Sequence, residues 1–200
     1  MATFFTSDLH FGHQNIISYT GRPYSSVDEM NHDLIERYNF LVLPSDTVYF
    51  LGDVCMGKLD ESLECIALLN GTKVLIPGNH DRMFRAQGTK YRNTVQRYLD
   101  AGFSEVLSDQ VTDTFSFGRA TLCHFPPEGE SQATHEDRYQ DYQPSMPPHG
   151  ALLHGHLHGH YAKRGRLIDV GVDAQGGFPI SETRVAELLA SSGDLSPVEW

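Results

Sequence analysis

The chain has 200 residues, 40% hydrophobic and 20% charged, which suits one compact domain and excludes disorder, collagen and coiled coil. Fifteen Lys and Arg against 26 Asp and Glu leave a net charge of −11, a field that repels polyanions, so duplex nucleic acid is not an expected partner. Cys55, Cys65 and Cys123 lack Cys-x-x-Cys spacing and no stretch nears the roughly 18 apolar residues that span a bilayer, so a reduced, cytoplasmic protein away from membranes is expected.

Residues 2–7 read as a short strand that breaks into a polar turn from Asp8 to Asn15. Ser26 and Glu29 make a capping box, and Val27, Met30, Leu34, Ile35, Tyr38, Leu41 and Val42 then recur at helical spacing until Pro44. Residues 47–51 form a β-branched and aromatic run ending in Gly52-Asp53, and a helix over about 59–69 closes at Asn70-Gly71. A third strand, 73–76, ends at Pro77-Gly78-Asn79-His80-Asp81, and a weaker helix with Val95, Tyr98 and Leu99 ends near Gly102. This half is α/β.

In the second half strand follows strand. Residues 111–117 and 120–124 flank Gly118-Arg119 as an expected hairpin, with further strands at 151–153 and 167–170 and a last helix over about 181–190. Residues 125–150, rich in Pro, Gly and acidic side chains, are long for a loop inside a compact domain and are expected to be an excursion or lid. The whole chain, 1–200, reads as one domain.

Five clusters stand where an apolar run gives way to a turn: Asp8-Leu9-His10, Gly52-Asp53, Gly78-Asn79-His80-Asp81, Leu122-Cys123-His124 and His154-Gly155-His156-Leu157-His158. Ends of neighbouring strands converge in space. Residues two apart at a strand end share a side, so Asp8 with His10, and His156 with His158, are each expected to aim two donors at one place. Gly52, Gly78 and Gly155 keep the backbone close, and Asp53 is the short, rigid carboxylate suited to being shared by two cations.

In this order, Asp-x-His, Gly-Asp, Gly-Asn-His-Asp, a lone His and Gly-His-x-His resemble the calcineurin-like metallophosphoesterase family over most of the chain. The short length and Phe11-Gly12-His13-Gln14-Asn15 make the chain most similar to small stand-alone members from bacteria and phages. The resemblance implies a two-sheet β-sandwich flanked by helices, an α/β (α+β) fold with its site at the strand ends. It implies that Asp8, His10, Asp53 and His158 hold one metal and Asp53, Asn79, His124 and His156 the other, with Asp53 bridging. It also implies that His80 contacts the phosphate and protonates the leaving oxygen. Asp81 is expected to orient that imidazole, and His13, like Asn79, to reach the substrate.

Two imidazoles with oxygen donors suit Mn, which is favoured, or Fe, Co, Ni or Zn better than Ca or Mg. Two cations about 3.5–4 Å apart would create a bridging hydroxide for in-line displacement at phosphorus. The expected partner is a small phosphate ester. Phosphodiesters such as cyclic nucleotides are favoured, with phosphomonoesters on the same site or a non-catalytic protein-binding module as alternatives. His154 is expected to pack behind the site, and His32, His135, His149 and His160 to lie on the surface. Arg82, Arg85 and Arg138 match phosphate geometry, although surface ion pairs are their expected use. Cys55 and Cys123 are expected to be small buried hydrophobes.

Overall fold

The computed structural model describes residues 1–84, 94–127 and 139–200. In one sheet β1 (Thr3–Thr6), β2 (Thr47–Phe50), β3 (Thr72–Leu75) and β4 (Phe103–Val106) run parallel in that order, and β10 (Ile180–Ser181) joins β1 antiparallel. Helices α1 (Gln14–Thr20) and α2 (Val27–Leu41) connect β1 to β2, α3 (Leu59–Ala67) connects β2 to β3, and α4 (Val95–Asp100) precedes β4. The other sheet begins with the antiparallel pair β5 (Gln110–Phe115) and β6 (Gly118–Cys123). It continues through parallel β7 (Ala151–His154) and β9 (Leu167–Asp169) to antiparallel β8 (Lys163–Arg164). Helix α5 (Glu182–Ala190) follows β10.

Strand side chains alternate between faces, and here the alternation sorts the apolar core. Phe4, Phe50 and Leu75 pack against Met30, Leu34, Leu63, Ile66 and Tyr98 of the helices. Their neighbours Phe5, Leu51 and Ile76 instead meet Leu122, Leu153 and Ile168 of the facing sheet. The first sheet is thus buried on both faces, and an apolar layer lies between it and the second.

Several expectations shift. The hairpin turns at Ser116-Phe117, because Phe115 pairs with Gly118, so Gly118-Arg119 already belong to β6. At the end of the expected polar turn α1 begins without a side-chain cap and buries only Ile16, too little apolar pattern to announce a helix. Short β4, β8 and β10 were likewise not anticipated. Ser26 Oγ accepts from Glu29 N at 3.1 Å, but the Glu29 carboxylate turns to Ser25, so only half of the capping box forms. Of the expected excursion at 125–150, residues 128–138 lie outside the described residues, and 139–150 hold one 3-10 turn (Gln140–Tyr142) packed beside Phe84 and Phe125.

Candidate metal centre

All five ligand-type clusters leave the C-terminal ends of parallel strands: β1, β2 and β3 in one sheet, β6 and β7 in the other. Backbone bonds lace the loops together, Asp8 N to Gly52 O at 3.1 Å, His10 N to Asp53 O at 3.0 Å and Gly155 N to His124 O at 3.0 Å. Among the described residues, the non-glycine residues with positive φ are Asp8, His10, Asp53, His156 and His158, at 47–73°. Each belongs to the expected ligand set. Such left-handed backbone costs about 1–3 kcal/mol per residue and persists where surroundings enforce it, typically at functional sites.

This geometry corrects the strand-end argument. Asp8 and His10 do converge, with His10 Nε2 3.9 Å from Asp8 Oδ1, but through left-handed turns rather than a pleat. His156 and His158 diverge: the His158 ring lies 5.1 Å from that of His10, while the His156 ring lies 5.1 Å from that of His124. Of the three glycines, Gly52 has φ +87°, whereas Gly78 and Gly155 serve by close approach; a methyl on Gly155 would fall 2.2 Å from Asp8 Oδ2.

Asp53 Oδ2 is the hub, 3.7 Å from His10 Nε2, 3.4 Å from His124 Nε2 and 4.0 Å from His80 Nε2. Ligand atoms of Asp8, His10 and His158 lie within 4.8 Å of one another, as do those of Asp8, Asp53 and His124, so Asp8 reaches toward both groups. Asp8 Oδ1 and both His10 nitrogens are buried without a hydrogen-bond partner. His124 Nδ1–H donates to Leu51 O at 2.8 Å, leaving Nε2 facing Asn79 Oδ1 at 3.0 Å and Asp53 Oδ2. Buried ligand atoms left without a partner, Asp8 Oδ1 and the His10 nitrogens, are what a cation satisfies, and the mixed imidazole and oxygen set fits a transition metal.

Charge follows the same pattern. Burial alone would raise Asp53, but the charge and hydrogen bond of His124 hold its carboxyl well below the usual range. Burial opposes protonation of His124, yet Asp53 lifts it to about 10. Burial pushes His10 well down, and burial with the His124 charge pushes His156 down to about 3.

Asp81 does not orient His80. Its carboxylate accepts from the backbone N–H groups of Asp53 (2.8 Å), Val54 (3.2 Å) and Gly78 (2.8 Å), so it fastens the Asp53 loop to its neighbour. The His80 backbone N–H donates to Asp53 Oδ1 at 2.8 Å, and its side chain remains 40% exposed beside the His10 ring. His13 lies 5.5 Å from His10, ring to ring, at the start of α1.

His154 packs behind the site, donating from Nδ1 to Gly155 O and meeting the Tyr161 hydroxyl at Nε2. His32, His149 and His160 are exposed, as is Arg82, while Cys55 and Cys123 are buried free thiols. Arg85, His135 and Arg138 lie outside the described residues.

Three polar residues escaped the sequence reading. Asp173 Oδ2 accepts from His158 Nδ1 at 2.8 Å, and Arg22 grips both Asp173 oxygens at 2.8 Å. Asp169, fully buried beside Asp8, has a carboxyl pushed up to about 8 by burial and by the Asp8 charge. Gly171-Val172-Asp173 following the strand expected at 167–170 repeats the strand-then-acid signature that marked Asp8 and Asp53.

Residues 1–160 match the family model described as calcineurin-like phosphoesterase. An uncharacterised protein of Methanocaldococcus jannaschii is 39% identical over 69% of this chain and 73% of its own length. The gene 66 protein of Mycobacterium phage L5 is 30% identical over 94% of this chain and 93% of its own. A crystal structure of a protein of unknown function from Aquifex aeolicus superposes with a TM-score of 0.68 at 25% identity, covering 94% of this chain and 98% of that one. Motif order, two-sheet architecture and these likenesses agree: the chain belongs to the calcineurin-like phosphoesterase family of dinuclear-metal-dependent phosphoric ester hydrolases.

Proposed function

We propose that this protein is a metal-dependent phosphodiesterase of small phosphodiesters, cyclic nucleotides among them, with manganese as the preferred metal. The observation that supports it best is the meeting of three imidazole Nε2 atoms, from three separate loops, around the single oxygen Asp53 Oδ2. In this reading Asp8, His10, Asp53 and His158 would hold one cation, and Asp53, Asn79, His124 and His156 the other. When bound, such a pair supplies Lewis acidity to the phosphoryl oxygens and a nucleophile from water at neutral pH.

The chain's own groups do the rest. Asp53 keeps its negative charge because the charge and hydrogen bond of His124 hold its carboxyl low against the effect of burial. His80, held by its backbone to Asp53 yet open to solvent, is placed to give a proton from Nε2 to the departing oxygen. Beside it a cavity of about 190 Å³, lined by Cys55, Met56, Gly57, Leu59, His80 and Arg82, offers room for an organic leaving group. His13, its ring 5.5 Å from that of His10, is the other phosphate contact.

Charge favours diesters over monoesters. A monoester dianion meets the protein's net charge of −11 twice over, a diester monoanion once. With Mn²⁺ added, bis(p-nitrophenyl) phosphate is expected to turn over faster than p-nitrophenyl phosphate. A faster monoester would overturn the preference, and hydrolysis of neither would leave a binding module on this fold.

A further inference from the structure

Arg22 is buried with its side chain fully enclosed, and its guanidinium joins parts of the chain that are distant in sequence. Nε and Nη2 fork onto Asp173 at 2.8 Å each. Nη2 also donates to the carbonyl of Asp8 at 2.7 Å, and Nη1 to that of Leu9 at 3.0 Å. One side chain therefore fixes the loop carrying Asp8 and His10 and, through Asp173, the tautomer and direction of the His158 ring.

The indole of Trp200 lies over the guanidinium, 5.5 Å from Cζ to the ring centroid. It is itself set edge-on against Tyr24, 5.5 Å away, and close above Gly177. Arg22 and Asp173 carry opposite charges, so the device positions ligands without adding net charge beside a cation. The other group is held differently: His124 Nδ1 is fixed by the backbone carbonyl of Leu51.

We infer that Trp200, Arg22 and Asp173 form a positioning relay that acts chiefly on one metal position, that of Asp8, His10 and His158, and more weakly on the other, which it reaches only through Asp8. The inference rests on the proposed two-metal reading. Trp200 is its outermost member and the only aromatic surface seen on the guanidinium among the described residues, so it tunes the relay without contacting any ligand.

The test is Mn²⁺ binding to metal-free protein, followed by calorimetry and by electron paramagnetic resonance, which separates an exchange-coupled Mn pair from isolated ions. The parent is expected to take two equivalents and show the coupled signal. Trp200→Ala and Arg22→Lys are expected to weaken one equivalent about ten-fold or more, the usual cost of losing a group behind a metal ligand. At limiting Mn²⁺ both variants would then show the isolated-ion signal. Trp200→Phe, which keeps a ring on Arg22, is expected to restore the parent behaviour, and His156→Ala to weaken the other equivalent instead.

Two parent-like equivalents in Trp200→Ala and Arg22→Lys would overturn the relay, and so would equal weakening of both. Trp200→Ala keeps the test decisive should Arg22→Lys fail to fold, since Trp200 is only half-buried. A parent that binds no pair would overturn the two-metal reading itself, a result distinct from normal variants of a metal-binding parent.

Discussion

On the side of Asp8, His10 and His158 the bracing is ionic and spans the chain, with Arg22 and Asp173 separated by 151 positions. On the side of Asn79, His124 and His156 the bonds run between one side chain and main chain: Leu51 O holds the His124 ring, and the Asp81 carboxylate gathers three backbone amides. A buried ion pair can be broken by substitution at either partner, whereas a bond to a main-chain group can be broken only at its one side-chain end. The two sides of one centre should therefore differ in how readily mutation loosens them, and this difference can be broken or sharpened experimentally.

The largest effect is expected at the hub that both sides share. Asp53→Ala should abolish activity and metal retention together, read by turnover and metal analysis. Retention of one equivalent would show that the two sides hold metal independently. Next, His80→Ala should keep both equivalents and slow turnover by about 10²–10⁴-fold, the range for a lost general acid. Parent-rate diester hydrolysis by that variant would remove its assigned role.

Two further substitutions address one side each. Asp81→Ala leaves the buried amides of Asp53, Val54 and Gly78 without their acceptor, at about 1–3 kcal/mol for each unpaired group. The loss should appear as about 3 kcal/mol or more in urea unfolding. Gly155→Ala drives a methyl into Ser7 and Asp8, so it should cost metal affinity at the Asp8 side before it costs stability. Unchanged Mn²⁺ titration would contradict that contact.

The smallest effect is a pH dependence. Asp169 is held above its ordinary value of 3.8, at about 8. Its stabilising contribution is thus complete below about pH 4 and lost as pH rises through about 8. In metal-free protein Asp169→Asn, which stays neutral, should match the parent near pH 4 and melt at a higher temperature above about pH 8. Parallel melting curves across that range would sink the assignment.

The strands beneath the site were legible because their apolar runs are continuous, as expected of sheets covered on both faces. Helix α2 was equally plain, with Ser26 at its start and a long apolar stripe. The ligand residues were legible because chemistry forces Asp, His, Asn and Gly into a fixed order at strand ends. Their conformation was not: a period-two argument cannot foresee five left-handed backbones, which arise from loop-to-loop bonds such as Asp8 N to Gly52 O. Arg22 stayed hidden because it follows a short helix that the apolar pattern does not announce, while its partner lies beyond most of the second sheet. Asp81 was misread because adjacency to His80 suggested a side-chain partner when the main chain had the stronger need.

The sandwich supplies donors from both of its leaves: Asp8, Asp53 and Asn79 follow strands of one, His124, His156 and His158 follow strands of the other. Neither leaf alone carries a full ligand set, so a bound cation pair would act as a rivet through the joint as well as a chemical reagent. Chelation should then loosen the seam, and amide exchange along β1 and β7 should quicken together as the ions are withdrawn.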